Sequence, residues 1–330
     1  MKKIHYFISL GCGLSILVLS LYGFFLLKGR LDLPPEINLD YLLKERSLEL
    51  RLNGIKIQHM KDVEFIMSQK RMNKQSSVLL QVIGEEREIK LIPFYAHAPF
   101  PLIYLIIALF CAAVGFAVFI LCSEESKARI FYWASLAFSS SIIISGGYHC
   151  LQEDKLSFLP GVRFYLLYPL APAVLLHFSR SFSGKISRSN LLLIYVPALL
   201  FSAGLESTFL LSSSYASIKI YRLYQSLYYF FRFFIVIFAL AAILHFVISY
   251  RKAVLEVPRA QLKWVLYGLA VGLGPFIFLY QFPLMLKFSP LISEEFSNIF
   301  FIFIPLAFAF SIVKFKLTNL SSTGAWFTAS

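Results

Sequence analysis

The chain is poor in charged residues. Asp, Glu, Lys and Arg make up 15% of its 330 residues, whereas a typical soluble domain carries about 25%. Hydrophobic residues make up 58%. This composition predicts a membrane protein before any motif is considered.

Cysteine is also scarce. The four cysteines (Cys12, Cys111, Cys122 and Cys150) are scattered along the chain, and none belongs to a CxxC pair or a Cys/His cluster. The sequence therefore predicts no metal site, no disulfide framework and no cofactor.

Basic residues outnumber acidic ones, 31 to 18, which gives a formal net charge of +13. A nucleic-acid-binding protein can be this basic but not also this apolar, so we predict no nucleic-acid partner. Lys and Arg in the cytoplasmic loops of a membrane protein explain the excess.

The long apolar runs predict an α-helical polytopic membrane protein with about eight transmembrane helices. A bilayer core about 30 Å thick requires roughly 20 apolar residues per helix. The third run contains polar Ser and Gly clusters, and the fourth contains Pro169 and Pro172, which are tolerated where neighbouring helices satisfy the freed carbonyls. The predicted spans are 4–27, 101–122, 130–148, 164–182, 191–211, 227–250, 264–286 and 298–315.

Lys and Arg concentrate in alternate short connections, which predicts the orientation. Both termini are expected in the cytoplasm and the segment 28–99 outside, in a multi-pass protein of the bacterial inner (cytoplasmic) membrane. The first run is longer than the apolar core of a signal peptide and no A-x-A site follows it, so an uncleaved anchor is favoured. The basic residues on the predicted inner side are Lys2, Lys3, Lys127, Arg129, Arg180, Lys185, Arg188, Arg251, Lys252, Arg259, Lys263, Lys314 and Lys316.

The segment 28–99 has the pattern of a small soluble fold. Apolar residues alternate with polar ones over 48–52, and Asn53-Gly54 is typical of a tight hairpin turn. Helical spacing follows over 61–71, and two more alternating stretches lie on either side of Gly84. The predicted order is strand, turn, strand, helix, strand, turn, strand.

Two parts of this segment resemble the second half of a PDZ domain: "LRLNGIKIQHMKDVEFIM" and "SSVLLQVIGEEREIKLIP". The resemblance covers about 45–93 and implies peptide binding by strand addition. Residues 28–47 contain no glycine-rich carboxylate-binding loop. The alternative is a small α/β cap that covers the membrane helices.

Three later stretches resemble the membrane sensor region of bacterial receptor histidine kinases of the competence type. They are "VLLHFSRSF" (174–182), "RAQLKWVLYGLAVGLGPF" (259–276) and "IPLAFAFSIVKFKLTNL" (304–320). The resemblance implies an anchor at 1–27, an extracytoplasmic PDZ-like segment at 28–99, a seven-helix sensor region at 100–316 and a short cytoplasmic tail at 317–330. It further implies a role in signal transduction, as the input of a two-component system.

The partners that this resemblance implies are the lipid bilayer, a peptide or small-molecule signal, and a second copy or a separate cytoplasmic signalling protein. No kinase transmitter follows the last predicted span, so we expect no catalytic residues and no enzyme activity in this chain. The expectation is a truncated histidine kinase or a stand-alone sensor. A transporter-like or structural multi-span protein is the alternative, although internal repeats, which would favour a transporter, are not seen.

Polar residues within the predicted spans are candidate site residues. Glu206 and Arg232 fall at similar predicted depths on adjacent spans and are expected to pair, either as a switch or as a structural ion pair; Arg232 could instead extend to the interface. An outward pocket is predicted from Tyr228, Tyr229, Tyr280 and Gln281, with an interfacial aromatic belt as the alternative. Gly268, Gly272 and Gly274 are expected to permit close helix packing, and Gly274-Pro275 permits a bend.

Overall fold

The computed structural model describes residues 2–27, 31–34, 37, 50–59, 62–63, 65–67, 77–82, 85–93, 100–144, 159–181 and 186–314. Long helices dominate this part of the chain. Their bounds are α1 Lys2–Leu27, α2 Phe100–Cys122, α3 Ser126–Ile144, α4 Leu159–Ser181, α5 Arg188–Ser214, α6 Ile218–Lys252, α7 Glu256–Met285 and α8 Glu294–Lys314.

Seven of these helices are long and apolar enough to cross a membrane, so the predicted multi-pass helical architecture is present. The exception is α3, the predicted third span. It has 19 residues, and it begins with Lys127 and Arg129 and carries several serines. Four of its serines are buried, and one of them joins α3 to α2, because the Ser139 hydroxyl donates to the Ala108 carbonyl over 2.7 Å.

A small α/β unit lies between α1 and α2, and we call residues 28–99 the α/β segment. Its main sheet is antiparallel with strand order β3-β2-β4-β5, built from β2 Leu50–Leu52, β3 Ile55–Lys56, β4 Ser77–Val82 and β5 Glu85–Lys90. Residues 62–63 and 65–67 are helical. A second pair joins β1 Leu31–Asp32 to β6 Ile92–Pro93. This order of elements agrees with the sequence prediction where the segment is described.

The Asn53-Gly54 turn is confirmed. Both residues have positive φ, 50° for Asn53 and 75° for Gly54, as a two-residue hairpin turn between right-twisted strands requires. The Asn53 side chain fixes the turn on the sheet, because its Oδ1 accepts from the Leu79 N–H over 2.9 Å.

Replacing Gly54 tests this turn. Gly54→Val is expected to destabilise the hairpin by about 1–2 kcal/mol, since a β-branched residue is strained at positive φ. Gly54→Asn is the control, because Asn tolerates this conformation. Hydrogen exchange of the β2–β3 backbone in the full chain measures the effect; equal exchange in both variants would contradict it.

Several sequence predictions fall on residues outside the described part. These are the ends of the predicted third, fourth and eighth spans at 145–148, 182 and 315, and the cytoplasmic tail at 317–330. In the α/β segment they include much of the predicted helix at 61–71 and the predicted turn at Gly84; the residues concerned are 28–30, 35–36, 38–49, 60–61, 64, 68–76, 83–84 and 94–99.

Candidate functional site

The α/β segment is joined to the helix bundle through the first turns of α6. Arg222 Nη2 lies 3.0 Å from Asp62 Oδ2 and also donates to the Lys56 carbonyl over 3.2 Å. Asp62 has no exposed side-chain surface, whereas Arg222 keeps 30% exposed. Beside this ion pair, the rings of Phe65 and Tyr221 stack at 4.8 Å.

Asp62 also organises the turn on which it lies. Its Oδ2 accepts from the backbone N–H groups of Gln58, at 2.9 Å, and His59, at 3.2 Å. An acid that bonds back to the N–H three residues earlier is the acidic half of a helix capping box. One buried carboxylate therefore starts a helical turn and attaches the α/β segment to α6.

A cavity of about 140 Å³ lies in the bundle between α2, α3, α4, α6, α7 and α8. Its inner part is lined by Phe131, Phe178 and Phe308, whose ring centroids lie 5.1–6.2 Å apart. Nearer the start of α8, the Phe301 ring packs against the rings of Phe138 and Phe276, with centroid distances of 4.7 and 5.0 Å. Most of the cavity wall is therefore aromatic or aliphatic. We call this space the central cavity.

Polar groups gather at the other end of the central cavity. Glu294 and Asn298, on the first turns of α8, line it together with Tyr168 of α4. The Tyr280 hydroxyl donates to Glu294 Oε2 over 2.5 Å, and Asn298 hydrogen-bonds to the buried Tyr104. The cavity is thus most polar at the end where α8 begins, and the rest of its lining is apolar apart from Ser135 and Ser141 of α3.

A local change of helix type brings Tyr280 to this site. Pro275 cannot donate the helical hydrogen bond, and residues Pro275–Gln281 form a π-helical stretch within α7. The Phe282 N–H accordingly donates five residues back, to the Ile277 carbonyl. The wider turn lies where Phe276 lines the cavity and Tyr280 meets Glu294. π-Helical stretches are frequent at functional sites.

The structure partly assembles the predicted outward pocket. The Tyr228 hydroxyl lies 3.5 Å from that of Tyr168, so Tyr228 and Tyr280 both adjoin the polar end of the cavity. Tyr229 instead donates to the Met285 carbonyl over 2.8 Å. Gln281 is buried, with 4% of its surface exposed, but does not line the cavity.

The structure does not bring Glu206 and Arg232 together. The Arg232 guanidinium lies over the Tyr228 ring, 5.7 Å from its centroid, and interacts electrostatically with the hydroxyls of Tyr168 and Tyr280. The reason is helix register: α6 begins at Ile218, nine residues before the predicted span, and Gly204 of α5 packs against Leu227. Glu206 therefore lies opposite the residues before Leu227, about 10 Å along the axis from Arg232.

Sequence reasoning missed Glu294, Asp62 and Arg222. The two acids after Ser293, Glu294 and Glu295, are typical of a solvated helix start, and Ser293 does cap α8 by accepting from the Phe296 N–H. The signal that was available for Asp62 is its spacing of three from His59, which fits a capping box.

A second polar cluster lies at the end of the bundle farthest from the α/β segment. His177 Nδ1 and the Tyr195 hydroxyl are 2.8 Å apart, joining α4 to α5. Arg180 Nε donates to His245 Nε2 over 3.3 Å, joining α4 to α6. One of these three helices, α6, contacts the α/β segment at its opposite end.

Within the described residues, no group of three or more His, Cys, Asp and Glu side chains could hold a metal ion. Comparison of the chain with protein-family models, with curated proteins and with solved structures gives no match. Any function must therefore be argued from the geometry above.

Proposed function

We infer that the chain is a membrane-embedded signal-sensing module, similar to the input region of a receptor histidine kinase and without catalysis of its own. In this proposal α3 crosses the membrane with the seven apolar helices, both termini lie in the cytoplasm and the PDZ-like α/β segment lies outside. The observation that carries the proposal is the attachment of the α/β segment to α6 through Asp62, Arg222, Phe65 and Tyr221.

This attachment gives an extracytoplasmic event a route into the bundle. α6 is a single helix of 35 residues without an internal proline, so a displacement of its first turns is carried along its length. Its far end contacts α4 through His245 and Arg180. Ligand binding shifts such a system only if the two arrangements of the helices bind the ligand unequally.

A transporter is the competing proposal for a multi-span protein with an internal cavity. Transporters with repeated halves carry interrupted helices in corresponding positions of the two halves. Among the described helices, changes of helix type occur in α7, as the π-helical stretch, and in α8, as a 3₁₀ turn at Phe300–Ile302, and both lie in the second half of the chain. This asymmetry favours a sensor over a transporter.

A fusion experiment tests the proposal. We would join residues 1–316 in helical register to the transmitter of a receptor histidine kinase, reconstitute the fusion in lipid nanodiscs and measure autophosphorylation. Arg222→Ala removes the ion pair and is expected to change the basal rate severalfold, because α6 loses its attachment to the α/β segment.

Lys219→Ala is the matched control. Lys219 is an exposed cation on the same first turn of α6, and its removal is expected to leave the rate unchanged. Equal rates in the parent, Arg222→Ala and Lys219→Ala fusions would refute coupling between the α/β segment and the output.

A further inference from the structure

We propose that the central cavity binds a small amphiphile with an aromatic-sized apolar body and a head group that donates a hydrogen bond, such as a hydroxyl. This deepens the proposed sensing function by naming a chemical class of signal. The role of the compound as a signal rests on that function, whereas its binding does not.

The volume of the cavity limits the size of the apolar part of the ligand. At about 140 Å³, it is close to an apolar protein cavity of about 150 Å³ that stays dry and binds benzene. A single six-membered ring or a short branched chain therefore fits, whereas a lipid acyl chain does not.

The wall chemistry sets the orientation of the ligand. Phe131, Phe178 and Phe308 surround the inner part of the cavity, where a polar head would lose its hydrogen bonds to water without replacement. The apolar body is therefore placed there, against the aromatic rings. The head is left at the end that holds Glu294, Asn298 and the Tyr168 hydroxyl.

Glu294 sets the chemistry of the head. An ionised carboxylate only accepts hydrogen bonds and has about four acceptor positions, so Glu294 can accept from a ligand in addition to the Tyr280 hydroxyl. A donating head adds another charge-assisted hydrogen bond. A carboxylate head would be repelled. Glu294 is half-buried in the first turn of α8, so the head lies near the end of the bundle that faces the α/β segment.

Protection of Cys111 from thiol modification reports binding inside the cavity, and a probe that only dissolves in the lipid would not protect this cysteine. This cysteine is buried and lines the cavity, whereas Cys12 is exposed on α1. We would treat the full chain in nanodiscs with methyl methanethiosulfonate and follow both cysteines by mass spectrometry. The probes are benzyl alcohol, toluene and benzoate.

Benzyl alcohol is expected to protect Cys111 saturably, toluene more weakly and benzoate least, with labelling of Cys12 unchanged. In Glu294→Gln, protection by benzyl alcohol is expected to weaken roughly three- to tenfold, the effect of one hydrogen bond. Benzoate is expected to protect better than in the parent, because its like-charge repulsion is gone. If Glu294 had a purely structural role, its replacement would not weaken protection by benzyl alcohol while strengthening protection by benzoate.

Glu206→Gln is the control, since it makes the same chemical change on α5 away from the cavity lining. Ala239→Leu fills the cavity from α6 and is expected to abolish protection by all three probes. Failure to label Cys111 in the absence of any probe would overturn the proposal. So would equal protection by the three probes, or an effect of Glu206→Gln equal to that of Glu294→Gln. Autophosphorylation of the fusion is measured separately, so loss of binding and loss of coupling remain distinguishable.

Discussion

Gly268→Ala and Gly272→Ala are each expected to destabilise the bundle by about 1–3 kcal/mol, the usual effect of overpacking a tight interior. A Cβ at either position would overlap a side chain of α8. At Gly268 it would also lie 3.0 Å from the Phe303 carbonyl oxygen, and at Gly272 it would lie 3.2 Å from that of Phe300. Backbone carbonyl groups cannot rotate aside, so α8 would have to move away from α7. Gly268→Leu is expected to cost more than Gly268→Ala.

Gly11→Ala on α1 is the control. No atom lies within 4 Å of a Cβ built at this helical glycine, and the change is expected to be neutral or stabilising by up to about 1 kcal/mol, since Ala favours a helix over Gly. Gly274, also predicted to pack closely, has the same open space but precedes Pro275, which disfavours a helical Ala. Loss of helical circular dichroism with increasing SDS in mixed micelles measures all three variants. Similar midpoints for Gly268→Ala and Gly11→Ala would show that α7 and α8 are not tightly packed.

Asp62→Ala is expected to weaken the attachment of the α/β segment by about 2–4 kcal/mol. The substitution removes a fully buried carboxylate that joins Arg222 to two backbone N–H groups, and breaking a buried ion pair is costly. The estimate lies below the upper limit for such pairs because Arg222 is partly exposed and regains water. Hydrogen exchange of β4, which is paired on both sides, is expected to rise at least about tenfold.

A charge-exchanged variant separates attachment from capping. In Asp62→Arg with Arg222→Asp the opposite charges remain, but the acceptor for the Gln58 and His59 N–H groups is lost. Amide hydrogen exchange of β4 is therefore expected to remain faster than in the parent protein. Full recovery of protection in this double variant would contradict the capping role of Asp62.

The positions of the helices could be predicted from hydrophobic length, because the bilayer imposes that length. The predicted starts and ends of α2, α4 and α8 lie within a few residues of those observed. The tight turn at Asn53-Gly54 was equally predictable, since positive φ restricts the residue types. The close approach of α7 and α8 at Gly268 and Gly272 also followed from residue size.

Helix register and polar clustering could not be predicted. The first nine residues of α6 contain Lys219, Arg222 and Gln225, so a hydropathy argument places the start of the helix too late. This error in the start of α6 is the reason why the predicted pairing of Arg232 with Glu206 was wrong. The cavity depends on six helices meeting at one point, and no local pattern predicts that meeting. The placement of Glu294 beside Tyr280 depends on the π-helical turns after Pro275.

The length of α6 has a consequence for how the protein meets the bilayer. Its 35 residues span about 52 Å, whereas the hydrocarbon core is about 30 Å thick. Its first turns carry Lys219 and Arg222, so we place them beyond the hydrocarbon, where the α/β segment contacts them. A thinner bilayer is accommodated by tilting such a helix. Because Asp62 is attached to Arg222, a tilt of α6 would carry the α/β segment with it and make its height above the membrane depend on bilayer thickness.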